Sequence, residues 1–270
     1  MITAFITFFI FLLGISLGSF LSVLVFRLQK KEKGMLFGRS HCPHCKKNLQ
    51  AKDLIPLLSF LLLRGKCRYC HQKLSPYYFI LEITCGLILL LFFLKFPFLA
   101  ETPGTALSVD WQNLLQFLFY SGYGILFMGI FVYDLQTMEI PDIFLFPLVL
   151  LTLLGSLAID RHSTVDLLIA LLIALIFFGG QIMISKGTWL GEGDLYMGIA
   201  MAFLFGWQLL IAAIIITYLA GAIISLILLT TKNAHGKSKI PFAPFMVLGS
   251  FVTILFGSDL TNFYLSLLSF

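Results

Sequence analysis

The chain has 270 residues, of which 59% are apolar and only 11% charged, and its formal net charge is +5. Soluble domains are roughly half apolar and a quarter charged, so a water-soluble enzyme and a disordered chain are both excluded. The composition fits an all-α polytopic membrane protein whose surroundings are a lipid bilayer.

The first apolar run, 6–26, is too long for a signal-peptide core and lacks a basic start and a small-residue cleavage site. It is predicted to stay in the chain as the first transmembrane helix, within residues 1–28. Residues 29–77 follow as a polar segment. Twelve of the 18 Lys and Arg fall between Arg27 and Lys73, opposed only by Glu32 and Asp53. Such a block could suggest nucleic acid, but beside membrane spans it marks a cytosolic loop. Residues 78–270 then form the membrane domain. Its runs at 78–100, 113–133, 143–160 and 165–185 are each close to the ~20 residues that a bilayer needs. The stretch 195–231 is too long for one helix and is predicted to break at Gly206-Trp207-Gln208. A last span covers 243–268, which makes about eight helices. With 29–77 in the cytosol, Lys186, Lys232, Lys237 and Lys239 also fall inside, and only Lys95 and Arg161 fall outside. The active surface then faces the cytosol and the N-terminus lies outside.

The cytosolic segment contains Cys42-Pro-His-Cys45 and Cys67-Arg-Tyr-Cys70. Each pair puts two thiolates on one tight turn, and two such turns complete a tetrahedron. Cys42, Cys45, Cys67 and Cys70 are therefore the candidate ligands of a structural zinc. Disulfides do not suit a reducing cytosol. His41, His44 and His71 are spare donors. Four protein ligands leave no open position for water, so the expected role is structural. Cys85, inside the second span, reads as a buried apolar thiol.

Ionisable groups at membrane depth are functional candidates. Asp194 follows Gly191 and Gly193 at the mouth of an apolar run. Asp134 closes the third span, about 31 Å from Leu114 along the helix axis. From Asp194 to Gly206 is only about 20 Å, which puts Asp194 roughly 10 Å below the inner surface. Both carboxylates thus fall on the cytosolic half. Two carboxylates brought close cannot both ionise cheaply, so the pair holds an acid and a base together. Gly191 and Gly193 would let the chain leave helical geometry and a substrate backbone approach. On the residues alone, Asp194 could equally be the N-cap of the sixth helix, or bind an ion. Asp142, after Pro141, reads as a helix cap, and Glu139 and Glu192 as solvated. Glu82, one turn inside the second span, is a candidate for shaping the site. So are Pro241 and Pro244 in "IPFAPF".

Together these blocks resemble the type IV prepilin peptidases, membrane aspartic proteases of the G-x-G-D type. "GSFLSVLVFRL" (18–28) is similar to that family's first-helix signature. "CPHC…LIPLLSFLLLRGKCRYC" resembles its cysteine domain, "YDLQTMEIPD" and "GEGD" its two catalytic blocks, and "PFAPF" its proline-rich motif. The resemblance implies that Asp134 and Asp194 are the catalytic pair. It implies cleavage of the basic leader of prepilins and type II secretion pseudopilins at the bacterial inner membrane. It also implies N-methylation of the new N-terminus from S-adenosylmethionine, for which the sequence holds no glycine-rich nucleotide fingerprint. Tyr196 stands where the family commonly has a lysine. A presenilin-like protease would share G-x-G-D but lack the cysteine domain. A proton-coupled transporter with a zinc-stabilised loop would be expected to show inverted repeats, which are not evident.

Overall fold

The computed structural model describes residues 2–31, 38–100, 108–159, 162–231 and 240–268. Glu32, Lys33, Arg161, Lys232, Lys237 and Lys239, all used in the charge argument, lie outside the described residues. The chain forms two compact units, Met1–Gly129 and Ile130–Phe270.

In the first unit, helices α1 (Ile2–Gln29) and α3 (Tyr77–Lys95) pack along each other. Small residues permit this. A Cβ on Gly14 would lie 2.7 Å from the Cys85 carbonyl oxygen, one on Gly18 2.9 Å from the Glu82 Cα, and one on Gly86 2.7 Å from the Phe11 ring. Close backbone approach of this kind drives helix association where lipid removes the hydrophobic incentive. Cys85 is fully buried in that seam, as expected of an apolar thiol. The cysteine segment joins the two helices and contains one short helix, α2 (Leu58–Leu62).

The span expected at 78–100 stops at Lys95, because Pro97 disfavours helix at the residue before it. Strands β1 (Leu99–Ala100) and β2 (Ser108–Val109) then pair antiparallel, a small exception to the all-α expectation. Asp110 starts α4 (Trp111–Thr137) by accepting the N–H groups of Gln112 and Asn113 at 2.9 and 3.1 Å.

The second unit holds the end of α4, then α5 (Asp142–Ala158), α6 (Thr164–Ala174), a π-helical turn (Leu175–Gly179), α7 (Gly180–Ser185), α8 (Glu192–Thr230) and α9 (Ala243–Leu268). Helix α8 packs against α5, α6 and α9. As the length of the 195–231 run requires, its backbone leaves helical geometry at Gly206, where φ is 64° and ψ 178°. Asp166, near the start of α6, occupies the gap. Its carboxylate accepts the Trp207 N–H at 3.3 Å and lies 2.9 Å from His162 Nδ1. A Cβ at Gly206 would collide with that carboxylate. Gly206→Ala is therefore expected to cost about 1–2 kcal/mol for the left-handed backbone, plus the displacement of Asp166. Thermal unfolding in detergent measures this, and an unchanged midpoint would refute it.

Five helices among the described residues are long and apolar enough to cross a membrane: Ala4–Gln29, Tyr77–Lys95, Trp111–Thr137, Thr164–Ser185 and the unsplit Glu192–Thr230. Helix α5 and the Ala243–Gly257 part of α9 are apolar but shorter.

Candidate active site and cysteine centre

Helix α4 ends with Met138 in the left-handed region (φ 56°), its N–H returned to the Asp134 carbonyl at 2.9 Å. Asp134 thus sits in the last turn. It is 5% exposed, and its Oδ2 accepts the Ala243 N–H at 3.0 Å. The donor is an otherwise unpaired amide at the start of α9.

The other aspartate is set by a second pair of helix ends. Lys186 and Gly187, both with positive φ, end α7, and the Thr188 hydroxyl and Trp189 N–H bond back to Ser185. The chain then enters α8 with Gly191 as the cap residue and Asp194 in the first turn. Asp194 is not itself the N-cap. Its Oδ2 reaches back to the Gly191 N–H at 2.9 Å, so the carboxylate satisfies one open donor of its own helix.

Asp134 and Asp194 line one open cavity of about 930 Å³. Its walls are the end of α4 with residues 138–140, the turn at 187–191, Gly193, and Ile240, Pro241 and Phe242 ahead of α9. Exposed Glu139, which the sequence gives as merely solvated, is on the wall, as is exposed Trp189. Neither carried a motif of its own, although both lie inside the blocks around the aspartates.

Three candidates are placed differently. Pro244 is buried in α9 and is not among the lining residues, whereas Pro241 is. Asp142 is the first residue of α5 behind Pro141, and no side-chain cap bond forms there, so its expected capping role is corrected. Glu82 belongs to the first unit. It is buried, accepts the Leu57 N–H at 2.7 Å, and lines a separate cavity of about 150 Å³. Tyr196 is exposed and is not a lining residue of the aspartate cavity.

The two glycines act differently from each other. A Cβ on Gly191 would meet only Asp194 Oδ2, at 3.8 Å, whereas one on Gly193 would lie 2.9 Å from the Ile140 Cβ. The lack of a side chain at Gly193 is thus taken up by Ile140, which locks the start of α8 to the end of the α4 block. Gly193→Ala is expected to lose about 1–3 kcal/mol by overpacking, while Gly191→Ala leaves the unfolding midpoint nearly unchanged. Equal midpoints for the two variants would contradict this packing.

The four thiols Cys42, Cys45, Cys67 and Cys70 lie within 4.8 Å of one another. A tetrahedron with metal–sulfur bonds of about 2.3 Å needs sulfurs somewhat under 4 Å apart, and Cys42 Sγ and Cys70 Sγ are 3.9 Å apart. The donor set fits a metal ion. Two like turns present the thiols. Cys42 N–H bonds to Lys47 O and Cys67 N–H to Gln72 O, and the residue after each second cysteine, Lys46 or His71, has positive φ. Burial opposes ionisation of Cys67, but the N–H groups of Cys70 and Tyr69 and the neighbouring thiols bring it down to about 7, toward the thiolate that a metal requires. Asp53 ties the module together by accepting Arg68 Nε at 2.6 Å, Tyr69 OH at 2.9 Å and the Gln50 N–H at 3.1 Å. Burial works against its charge. These donors outweigh it and hold the carboxyl below its ordinary range.

A family model described as Type IV leader peptidase family matches residues 122–226, and one described as Bacterial Peptidase A24 N-terminal domain matches residues 12–96. The chain belongs to the type IV leader peptidase family. The peptidase match takes in both aspartates, and the N-terminal match takes in the four cysteines and Glu82. Curated relatives extend the likeness over nearly the whole chain. The prepilin leader peptidase/N-methyltransferase of Aeromonas hydrophila is 25% identical over 95% of this chain and 93% of its own length. Those of Stutzerimonas stutzeri and Legionella pneumophila are each 28% identical, covering 94% of this chain and 91% and 92% of their own lengths. No solved structure matches the leader peptidase described here.

Proposed function

We propose that this protein is a membrane aspartic endopeptidase that removes the basic leader of prepilins and pseudopilins, with Asp134 and Asp194 as its catalytic pair. The observation that carries the assignment is that these aspartates, 60 positions apart in sequence, line one cavity. The unprotonated carboxylate takes a proton from a water molecule, which attacks the scissile carbonyl. The protonated partner gives its proton to the leaving amine. The Ala243 and Gly191 amides fix one oxygen of each carboxylate, so the other oxygen of each is left for this chemistry.

The functional division follows the chain: helix 1–28, a cysteine module at 29–77, and a membrane domain at 78–270. Counting α8 as two spans about Gly206, α6 to α7 as one, and including α5 and α9, the chain crosses the bilayer eight times. The cysteine module and the aspartate cavity face the cytosol of a bacterial inner membrane. Zinc is the ion assigned to the four cysteines, because thiolates in tetrahedral array suit it. It orders residues 40–72 and takes no part in the cut. The second activity, methylation of the new N-terminus from S-adenosylmethionine, comes with the relatives' name. The 150 Å³ cavity falls below the ~300 Å³ of ordinary small-molecule sites, so no residue here is assigned to the methyl donor.

The test is mass spectrometry of a prepilin peptide incubated with purified protein in detergent, with and without S-adenosylmethionine. Cleavage in both, with one added methyl group only when the donor is present, is expected. An intact peptide under every condition would refute the assignment.

A further inference from the structure

The block "LIPLLSFLLL" (54–63) lies between the two cysteine turns, and neither the metal centre nor the aspartate cavity uses it. Its short helix has two faces. Phe60 turns inward and stacks on Phe79 of α3, with ring centres 5.3 Å apart, while Ser59 and Leu63 line the small cavity. The other face carries Leu54, Ile55, Leu58, Leu61 and Leu62, which are 41, 47, 49, 59 and 72% exposed. Five large apolar side chains in nine positions form a patch that a water-facing domain does not normally present.

The depth of this patch is fixed by α3. That helix has 19 residues, about 28 Å, so nearly its whole length is needed to cross ~30 Å of hydrocarbon. Glu82 is its sixth residue, and the Glu82 side chain leans toward the helix start. It holds the Leu57 N–H at 2.7 Å. Leu57 has φ 59° and ψ −51°, and Leu58 N–H bonds to Pro56 O at 2.6 Å, which makes a tight three-residue turn. A leucine persists in such a conformation only when its surroundings over-determine it. The buried carboxylate does so here, and it fastens the patch level with the first turns of a membrane span. Tyr77, which begins α3, also donates to the Ser22 carbonyl of α1 at 3.0 Å, so the level is shared by both helices. Exposed Lys52 and Arg64 flank the apolar residues, the charge arrangement of segments that lie in a membrane interface.

We infer that residues 54–62 are a membrane-seated element, with the outer leucines immersed in the acyl-chain boundary of the leaflet that α3 enters and Lys52 and Arg64 at the headgroups. The cysteine module is then held against the bilayer by three attachments, α1, α3 and this patch. The small glutamate cavity opens behind the patch. This inference rests on the membrane placement of α1 and α3, and not on the assignment of the aspartates.

The experiment uses full-length protein in nanodiscs. Leu62→Trp and, separately, Leu61→Trp add one fluorophore to the three native tryptophans, and the added signal is the variant minus the parent. Lipids brominated on the acyl chain should quench it about twofold or more, as immersion of roughly 5–10 Å implies. His44→Trp, at the tip of the first cysteine turn, should be spared. Quenching by aqueous iodide instead would show that the patch faces water, and resistance to both quenchers would show that protein covers it. Either result overturns the inference. Neither bears on prepilin cleavage, which the peptide assay reads separately.

Discussion

Asp134→Asn and Asp194→Asn each abolish cleavage, lowering kcat by about 10⁴-fold or more, the scale seen when one member of a catalytic unit is removed. The loss is not structural. An asparagine side-chain carbonyl can still accept the Ala243 or Gly191 N–H that each aspartate now accepts, so the unfolding midpoint stays close to that of the parent. Because the two groups act as one unit, the double variant is hardly worse than either single variant. Asp142→Asn, which touches only the start of α5, stays near parental activity. Initial rates on a prepilin peptide, paired with thermal unfolding of each variant, check all four statements. A well-folded Asp194→Asn variant within tenfold of parental turnover would sink the catalytic pair.

The second large effect is on the metal centre. Replacing Cys42, Cys45, Cys67 and Cys70 by serine reduces bound zinc from one per chain to none and removes the source of order for residues 40–72. Structural zinc supplies roughly 10–16 kcal/mol of apparent binding free energy in small modules, far more than the Asp53 contacts can replace. Limited proteolysis should therefore open the variant within 40–72 while sparing α8 and α9. Elemental analysis reports the metal directly. Zinc found coordinated by Asp134 or Asp194 would overturn the separation of structural metal from catalytic carboxylates.

What could be read beforehand was local or periodic. Each cysteine turn is closed by hydrogen bonds between residues four or five apart, so spacing alone specified it. The break at Gly206 followed from a run too long for one crossing and a residue able to adopt positive φ. The aspartates could be paired because helix length converts sequence position into depth. What escaped depends on contacts between distant or irregular segments. Nothing near Glu82 announces that Leu57 is its partner. Gly193 could not be matched to Ile140, which lies 53 positions earlier. Asp142 was taken for a cap on a local pattern, but α5 starts one residue earlier relative to it than that pattern supposes. Pro241 and Pro244 look alike in sequence, and only the start of α9 separates the one on the cavity wall from the one in the core.

The π-helical turn at Leu175–Gly179 sets the phase of everything between it and the cavity. Such a turn holds one residue more than an α-helix needs over the same rise. Here Gln181 ends up donating to the Phe177 carbonyl at 3.1 Å and accepting the Tyr218 hydroxyl at 2.9 Å, and the Phe178 ring lies over Gly198. Deleting a single residue from 175–179 would turn it into plain α-helix and rotate α7 by about 100° about its axis. Gln181 would swing away from Tyr218, and the turn at 187–191 that α7 carries would leave the cavity wall. The aspartate site therefore has a length requirement as well as a residue requirement. In this stretch, a one-residue deletion in an apolar, chemically silent segment would misalign the site as surely as the loss of an aspartate.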